Sequence, residues 1–240
     1  MGSLPNPRAE HAAVTMKGIG NYLIGGRNSW SGSTDITSDY LASGSREWVP
    51  GPWTPAENNF ELWGTCAVVI SETSFLVIGG QNIREYKVES SNPTSNGGWQ
   101  ESRKWPLLQT RRSSMAGCAR ISGKVVIAGG ITPPASNSDF PHKSTEVLDL
   151  ETKTIKYGQD LNTGRRGFHL LTITVEGMER VWALGGTGGT DQVPAYPPLF
   201  DSIEEFDPTT STWRPLEAKL AEGRAYFGAV LLPQNMICQC

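Results

Sequence analysis

Val181-Trp182-Ala183-Leu184-Gly185-Gly186, followed by Glu204-Glu205-Phe206-Asp207-Pro208 and then Ser211-Thr212-Trp213, is the stretch whose reading decides the fold. The same apolar run into a glycine pair occurs as Tyr22-Leu23-Ile24-Gly25-Gly26, Leu76-Val77-Ile78-Gly79-Gly80 and Val125-Val126-Ile127-Ala128-Gly129-Gly130. The second glycines, Gly26, Gly80, Gly130 and Gly186, are spaced by 54, 50 and 56 residues. A unit of that length holds four short strands and is too long for ankyrin or leucine-rich repeats. A β-sandwich carrying four chance glycine pairs is the competing reading.

Other features recur around each pair in the same order. Upstream stands an arginine followed three residues later by a ring or bulky apolar group: Arg8 and His11, Arg112 and Met115, Arg166 and His169, Arg224 and Phe227. In the second repeat Phe60 takes the arginine's place and Trp63 the bulky one's. Downstream comes an acidic-aliphatic strand, clearest in Glu146-Val147-Leu148-Asp149, and then a tryptophan, Trp48, Trp99 or Trp213, with Tyr157 as the third counterpart.

This pattern resembles the kelch repeat over nearly the whole chain, with the fourth repeat the best match. The resemblance implies an all-β, kelch-type β-propeller. Glycine accepts the positive φ and close approach needed near a crowded axis, and an indole can fill the wedge between neighbouring blades. The expected blades span about residues 7–55, 60–106, 110–160 and 164–217 of a single domain, 1–240. Residues 224–232 read as the first strand of a further blade, and Pro215 to Arg224 as the connection leading into it. Kelch rings close by one terminus completing the blade begun at the other, so the expectation is a five- to seven-bladed ring with an acceptor sheet upstream of Met1. Open strand edges would otherwise invite self-association.

With 38% hydrophobic and 19% charged residues, the chain can build a sizeable core without a run long enough to cross a membrane. The 27 Gly and 16 Pro suit many short strands joined by turns. A net charge of −3 with both signs scattered argues against nucleic acid, which demands a dense Lys/Arg surface. The first residues, Met1-Gly2-Ser3-Leu4-Pro5-Asn6-Pro7, lack a signal-peptide core, and no Asn-x-Ser/Thr sequon occurs. A cytoplasmic location is expected, or a secreted one should a leader lie upstream. Cys66 and Cys118 occupy matching places on the expected innermost strands. They read either as small buried apolar residues or as a disulfide between adjacent blades, the latter limited by how closely those strands approach. Cys238 and Cys240 read as tail thiols.

A propeller scaffold hosts unrelated activities, so function is read from its loops. The connection after Gly80 is short. Those after Gly130 and Gly186 are long and Pro-rich, and they carry Phe140, His142 and Tyr196. Such loops suit a preorganised contact surface. In kelch-like adaptors the arginines opening the first strands face the central mouth and pair with acidic peptides, which the resemblance carries to Arg8, Arg112, Arg166 and Arg224. Arginine forms planar bidentate pairs with carboxylates. The competing reading gives these arginines structural work, pairing with strand acids of the neighbouring blade or with loop carbonyls. The expected function is binding of a protein or peptide partner, with no cofactor or metal. The alternative is a propeller enzyme acting on carbohydrate. His11 and His169 share a repeat position and read as packing residues rather than a catalytic pair.

Overall fold

The structure, a computed structural model, describes residues 3–27, 37–53, 62–101, 103–112, 114–132, 141–188 and 198–231. The chain is all-β, with four antiparallel sheets built from sequence-adjacent strands. The first sheet contains β1 (Ala12–Met16), β2 (Gly20–Ile24), β3 (Ser38–Ala42) and β4 (Val49–Pro50). The second contains β5 (Cys66–Ser71), β6 (Ser74–Gly79) and β7 (Asn82–Lys87). The third contains β8 (Ser114–Ile121), β9 (Lys124–Ile131), β10 (Thr145–Asp149) and β11 (Ile155–Tyr157). The fourth contains β12 (His169–Val175), β13 (Met178–Leu184), β14 (Ser202–Asp207) and β15 (Thr212–Lys219).

The apolar runs ahead of the glycine pairs are second strands, and in β6 and β9 the two faces serve two neighbours. On β6, Phe75 and Val77 join a cluster with Val14, Met16, Tyr22 and Ile24 of the first sheet. Leu76 and Ile78 join a second cluster with Val125, Ile127 and Leu148 of the third. On β9, Val126 and Ala128 pack with Val181, Ala183, Phe206 and Trp213 of the fourth. A strand covered on both faces loses the usual polar alternation, which is why these runs are continuously apolar. Each Val, Leu or Ile so enclosed contributes about 1.5–3 kcal/mol.

Two kinds of connection follow from the meander. The first and second strands of each sheet are joined by tight hairpins at one end, where Gly18, Gly123 and Gly177 take positive φ. The glycine pairs, the connections after them and the entry into each first strand lie at the other end. Trp213 behaves as the wedge residue expected: it is 4% exposed, and its Nε1 donates to Thr145 Oγ1 of the third sheet at 2.9 Å.

Three expectations need correction. The second sheet has three strands, and Trp99 meets Tyr86 through a single bridge. The preceding Ser/Asn/Gly-rich stretch makes a 3-10 turn at Asn96–Gly98, capped by Ser95, so little chain is left to form a ladder. Pro215 lies inside β15 opposite Glu204, beside a register shift, because an edge strand tolerates a residue without an N–H donor. Residues 224–231 alternate between half-buried and exposed like a strand, yet no strand forms there among the described residues. A strand needs a ladder partner, and this segment instead makes the isolated contacts Gly186 N–H to Arg224 O, Arg224 N–H to Phe200 O and Tyr226 N–H to Gly167 O. No helix of the described residues is long and apolar enough to cross a membrane.

Candidate functional site

The glycine end is organised by one backbone link repeated four times. The second glycine of each pair donates its N–H to the residue that opens the next unit: Gly26 to Leu62 O (2.7 Å), Gly80 to Arg112 O (3.1 Å), Gly130 to Arg165 O (2.9 Å) and Gly186 to Arg224 O (2.8 Å). This link defines which residues are equivalent. Leu62, not Phe60, holds the second repeat's opening position, and Arg165, not Arg166, holds the fourth's. A glycine two residues further on, Gly64 or Gly167, marks both units in the sequence and could have set this register.

Three of the opening arginines make the same clamp. Arg8, Arg112 and Arg165 each donate from one terminal nitrogen to the carbonyl of the first glycine of their own sheet, Gly25, Gly129 and Gly185, at 2.7 Å in every case. The other terminal nitrogen reaches a hydroxyl just ahead of the third strand or at its start, on Thr37, Ser144 and Ser202. The same guanidinium contacts the acid two residues later, Asp39 (2.9 Å), Glu146 (3.2 Å) and Glu204 (2.9 Å). The acids also accept backbone N–H groups from the incoming segment. Gln109 and Thr110 donate to Glu146, while Asn162 and Thr163 donate to Glu204. Burial lowers the pKa of Arg112 and Arg165, and the paired glutamate opposes it in each case.

These clamps answer where the expected contact residues lie. Arg8 and Arg112 have fully enclosed side chains, paired within their own sheet rather than with a neighbouring one. Arg224 is exposed, with its Nε towards Glu222 O at 3.5 Å. The Arg166 backbone pairs with Thr187 in both directions, and its side chain is half-buried. His142 bonds Gly130 O through its N–H. Its Nε2 lies 2.6 Å from Thr132 Oγ1, whose proton goes to Arg111 O, so Nε2 is the donor. Burial first and Arg112 second lower the His142 pKa. Phe140 and Tyr196 lie outside the described residues.

Inside this end lies a cavity of about 520 Å³, walled by Glu10 to Ala13, Gly64 to Ala67, Ala116 to Cys118, Gly167 to Leu170 and Tyr226 to Gly228. All four first strands and the 226–228 segment thus face one space. His11 and His169 stand on its wall, half-buried, so they are not core packing residues. Their neighbours Ala12 and Leu170, on the same wall, are more deeply buried at 4% and 5% exposure. Burial lowers the pKa of both histidines; Arg8 adds to the lowering at His11, and Asp39 with the Arg8 backbone opposes it.

Cys66 and Cys118 form a disulfide on the same wall, with Cα atoms 5.9 Å apart. Their strands run side by side, which places the pair inside the bridgeable range and overturns the reading as unpaired apolar residues. Sequence reading passed over Glu10, Thr65 and Arg165; the Ser/Thr-x-acid spacing in Thr37-Ser38-Asp39, Ser144-Thr145-Glu146 and Ser202-Ile203-Glu204 is the signal that points to the clamps. Among the described residues no group of three His, Cys, Asp or Glu comes together in a way that could hold a metal ion. No family model and no curated protein matches the chain.

Proposed function

We propose that the chain is a kelch-type propeller module that binds a protein or peptide partner at its glycine end. The observation that carries this reading is the asymmetry of the two ends. Tight hairpins occupy one end, and at the other the connection after the glycine pair runs from two residues in the second sheet (Gly80 to Gln81) to long segments in the third and fourth. Four sheets joined by the same Gly-to-carbonyl link, with their first strands around one space, support the propeller arrangement.

The partner-facing cations in this reading are Arg111, Arg224 and Arg166, which are exposed or half-buried at that end, whereas the side chains of Arg8 and Arg112 are fully enclosed. Guanidinium groups suit an acidic partner segment through bidentate pairing. The Cys66–Cys118 disulfide supports an oxidising compartment, since such bonds are rare in the cytosol.

The test is a binding titration with glutamate-rich fluorescent peptides, comparing the native chain with Arg111→Ala, Arg166→Ala and Arg224→Ala. Arginine hot spots cost on the order of 2 kcal/mol, roughly thirtyfold in affinity, when truncated. At least one substitution is expected to weaken binding by that order, and rising salt should weaken it further. Unchanged binding in all three folded variants contradicts the reading.

A further inference from the structure

We propose that the Cys66–Cys118 bond is a thiol–disulfide exchange site, opened in the folded chain by small soluble thiols that enter the cavity between the first strands and closed again when they are withdrawn. The bond joins β5 of the second sheet to β8 of the third. Both cysteines are half-buried, and both stand on the cavity wall. On the far side they pack against the apolar cluster of Leu76, Ile78, Val125 and Ile127. The bond therefore has one face in the interior and one towards solute. Its neighbours along the wall, Ala67, Ala116 and Gly117, are small, and the cavity volume lies in the range of small-molecule sites. A bond so placed is open to exchange in a way that a fully enclosed structural bridge is not.

The junction that the bond spans has other ties. Gly80 and Arg112 exchange backbone hydrogen bonds in both directions, at 3.1 and 2.8 Å, and Leu108 N–H donates to Gln81 O at 2.9 Å. The junctions on either side hold through the Gly-to-carbonyl link and an apolar cluster, with no covalent bond between their sheets among the described residues. The bond adds stability relative to the unfolded chain, and opening it leaves these contacts in place.

The chemistry balances with two thiols. A thiolate attacks one sulfur of the bridge: a mixed disulfide forms to that cysteine, the Cys66–Cys118 bond breaks, and the other cysteine leaves as a thiolate that takes up a proton from water. A second thiolate attacks the mixed disulfide, which releases the oxidised small disulfide and the remaining cysteine. The bridge gains two electrons, and the two thiols lose them. Nothing covalent then fixes the 5.9 Å separation of the Cys66 and Cys118 Cα atoms, and β5 and β8 are free to part at the cavity. The site goes beyond the peptide reading and does not depend on it.

Incubation of the full chain with 2-mercaptoethanol, followed by alkylation and mass spectrometry of the peptides holding Cys66 and Cys118, tests the proposal. Reduction is expected without denaturant, at a rate that rises with thiolate concentration and stays flat in urea below the unfolding transition. The reduced chain should keep slow amide exchange at Gly80 and re-form the bond when oxidised 2-mercaptoethanol replaces the thiol. Gly228→Trp and Ala13→Trp put an indole on the cavity wall without changing the bridge; a Cβ at Gly228 meets nothing within 4 Å, and Ala13 is exposed. Blocked access should slow reduction roughly tenfold in at least one of them. Melting curves accompany both variants, so a folding defect in one leaves the other to decide. Reduction only in step with global unfolding, loss of slow exchange at Gly80 on reduction, or an unslowed rate in every folded variant overturns the proposal.

Discussion

The second sheet differs from its three siblings at the place where they agree most. In the first, third and fourth sheets a buried arginine opens the unit and meets an acid on the third strand. In the second, Leu62 opens the unit and Arg84 stands at the acid's register position opposite Val77. Both are buried, at 1% and 3% exposure. The backbone link from Gly26 N–H to Leu62 O persists without the charge pair. The comparison teaches that the repeat is defined by its main-chain hydrogen bond and glycine geometry. The buried ion pair is one way of filling the corner, and a leucine with a buried arginine on the third strand is another.

The largest effect should come from breaking a clamp on one side only. Arg165→Ala strips Glu204 of its guanidinium and is expected to cost about 3–5 kcal/mol, measured by urea denaturation. The double substitution Arg165→Leu with Glu204→Val replaces the pair by apolar side chains and should recover most of that loss. If the double variant is as unstable as the single one, an apolar pair cannot fill this corner.

Next in size is the staple between the second and third sheets. The bond joins residues 52 apart in sequence, and a loop of that length corresponds to roughly 4 kcal/mol in the chain-entropy description. Cys66→Ser with Cys118→Ser should lower the melting midpoint accordingly. A midpoint unchanged by the double substitution would show that the sheets hold together equally well without the bond.

Gly129→Ala probes the link itself. A Cβ there would lie 2.5 Å from the Arg165 carbonyl and 2.5 Å from the Phe168 ring, at φ 64°. A loss of about 2–3 kcal/mol is expected, well above an ordinary surface change. A tolerated alanine would mean that the neighbouring unit can retreat.

The smallest effects lie at the cavity wall. Glu10→Gly exchanges a residue at positive φ for a relaxed one while losing a partly exposed ion pair with Arg27, so the change in stability should stay within about 1 kcal/mol. The histidines give a pH signature. His11 and His169 sit below the ordinary value of 6.5 in the folded chain, so the unfolded chain binds more protons between the two values. Stability should therefore fall as pH drops from about 6.5 through the folded values, and His11→Gln with His169→Gln should flatten that decline.

Much of this architecture was legible in the sequence because it rests on local rules. Apolar runs into glycine pairs located β2, β6, β9 and β13, and Trp213 announced itself as the wedge. What escaped depended on register between units. The doublet Arg165-Arg166 offers two arginines one residue apart, and a one-residue choice in extended chain sends the side chain to the opposite face. Arg165 therefore lies in the clamp and Arg166 at the rim, a distinction that requires the partner strand. The cavity was harder still, since its wall comes from all four units and exists only when the first strands stand side by side. The disulfide was undecided for the same reason: spacing alone fixes no Cα separation.

Amide hydrogen exchange at Gly26, Gly80, Gly130 and Gly186 tests the shared link most directly. The first three should exchange as slowly as amides inside β6 and β9, with Gly186 faster because Arg224 O belongs to a segment outside any sheet. Rates at Gly26, Gly80 and Gly130 like those of unstructured peptide would contradict the account.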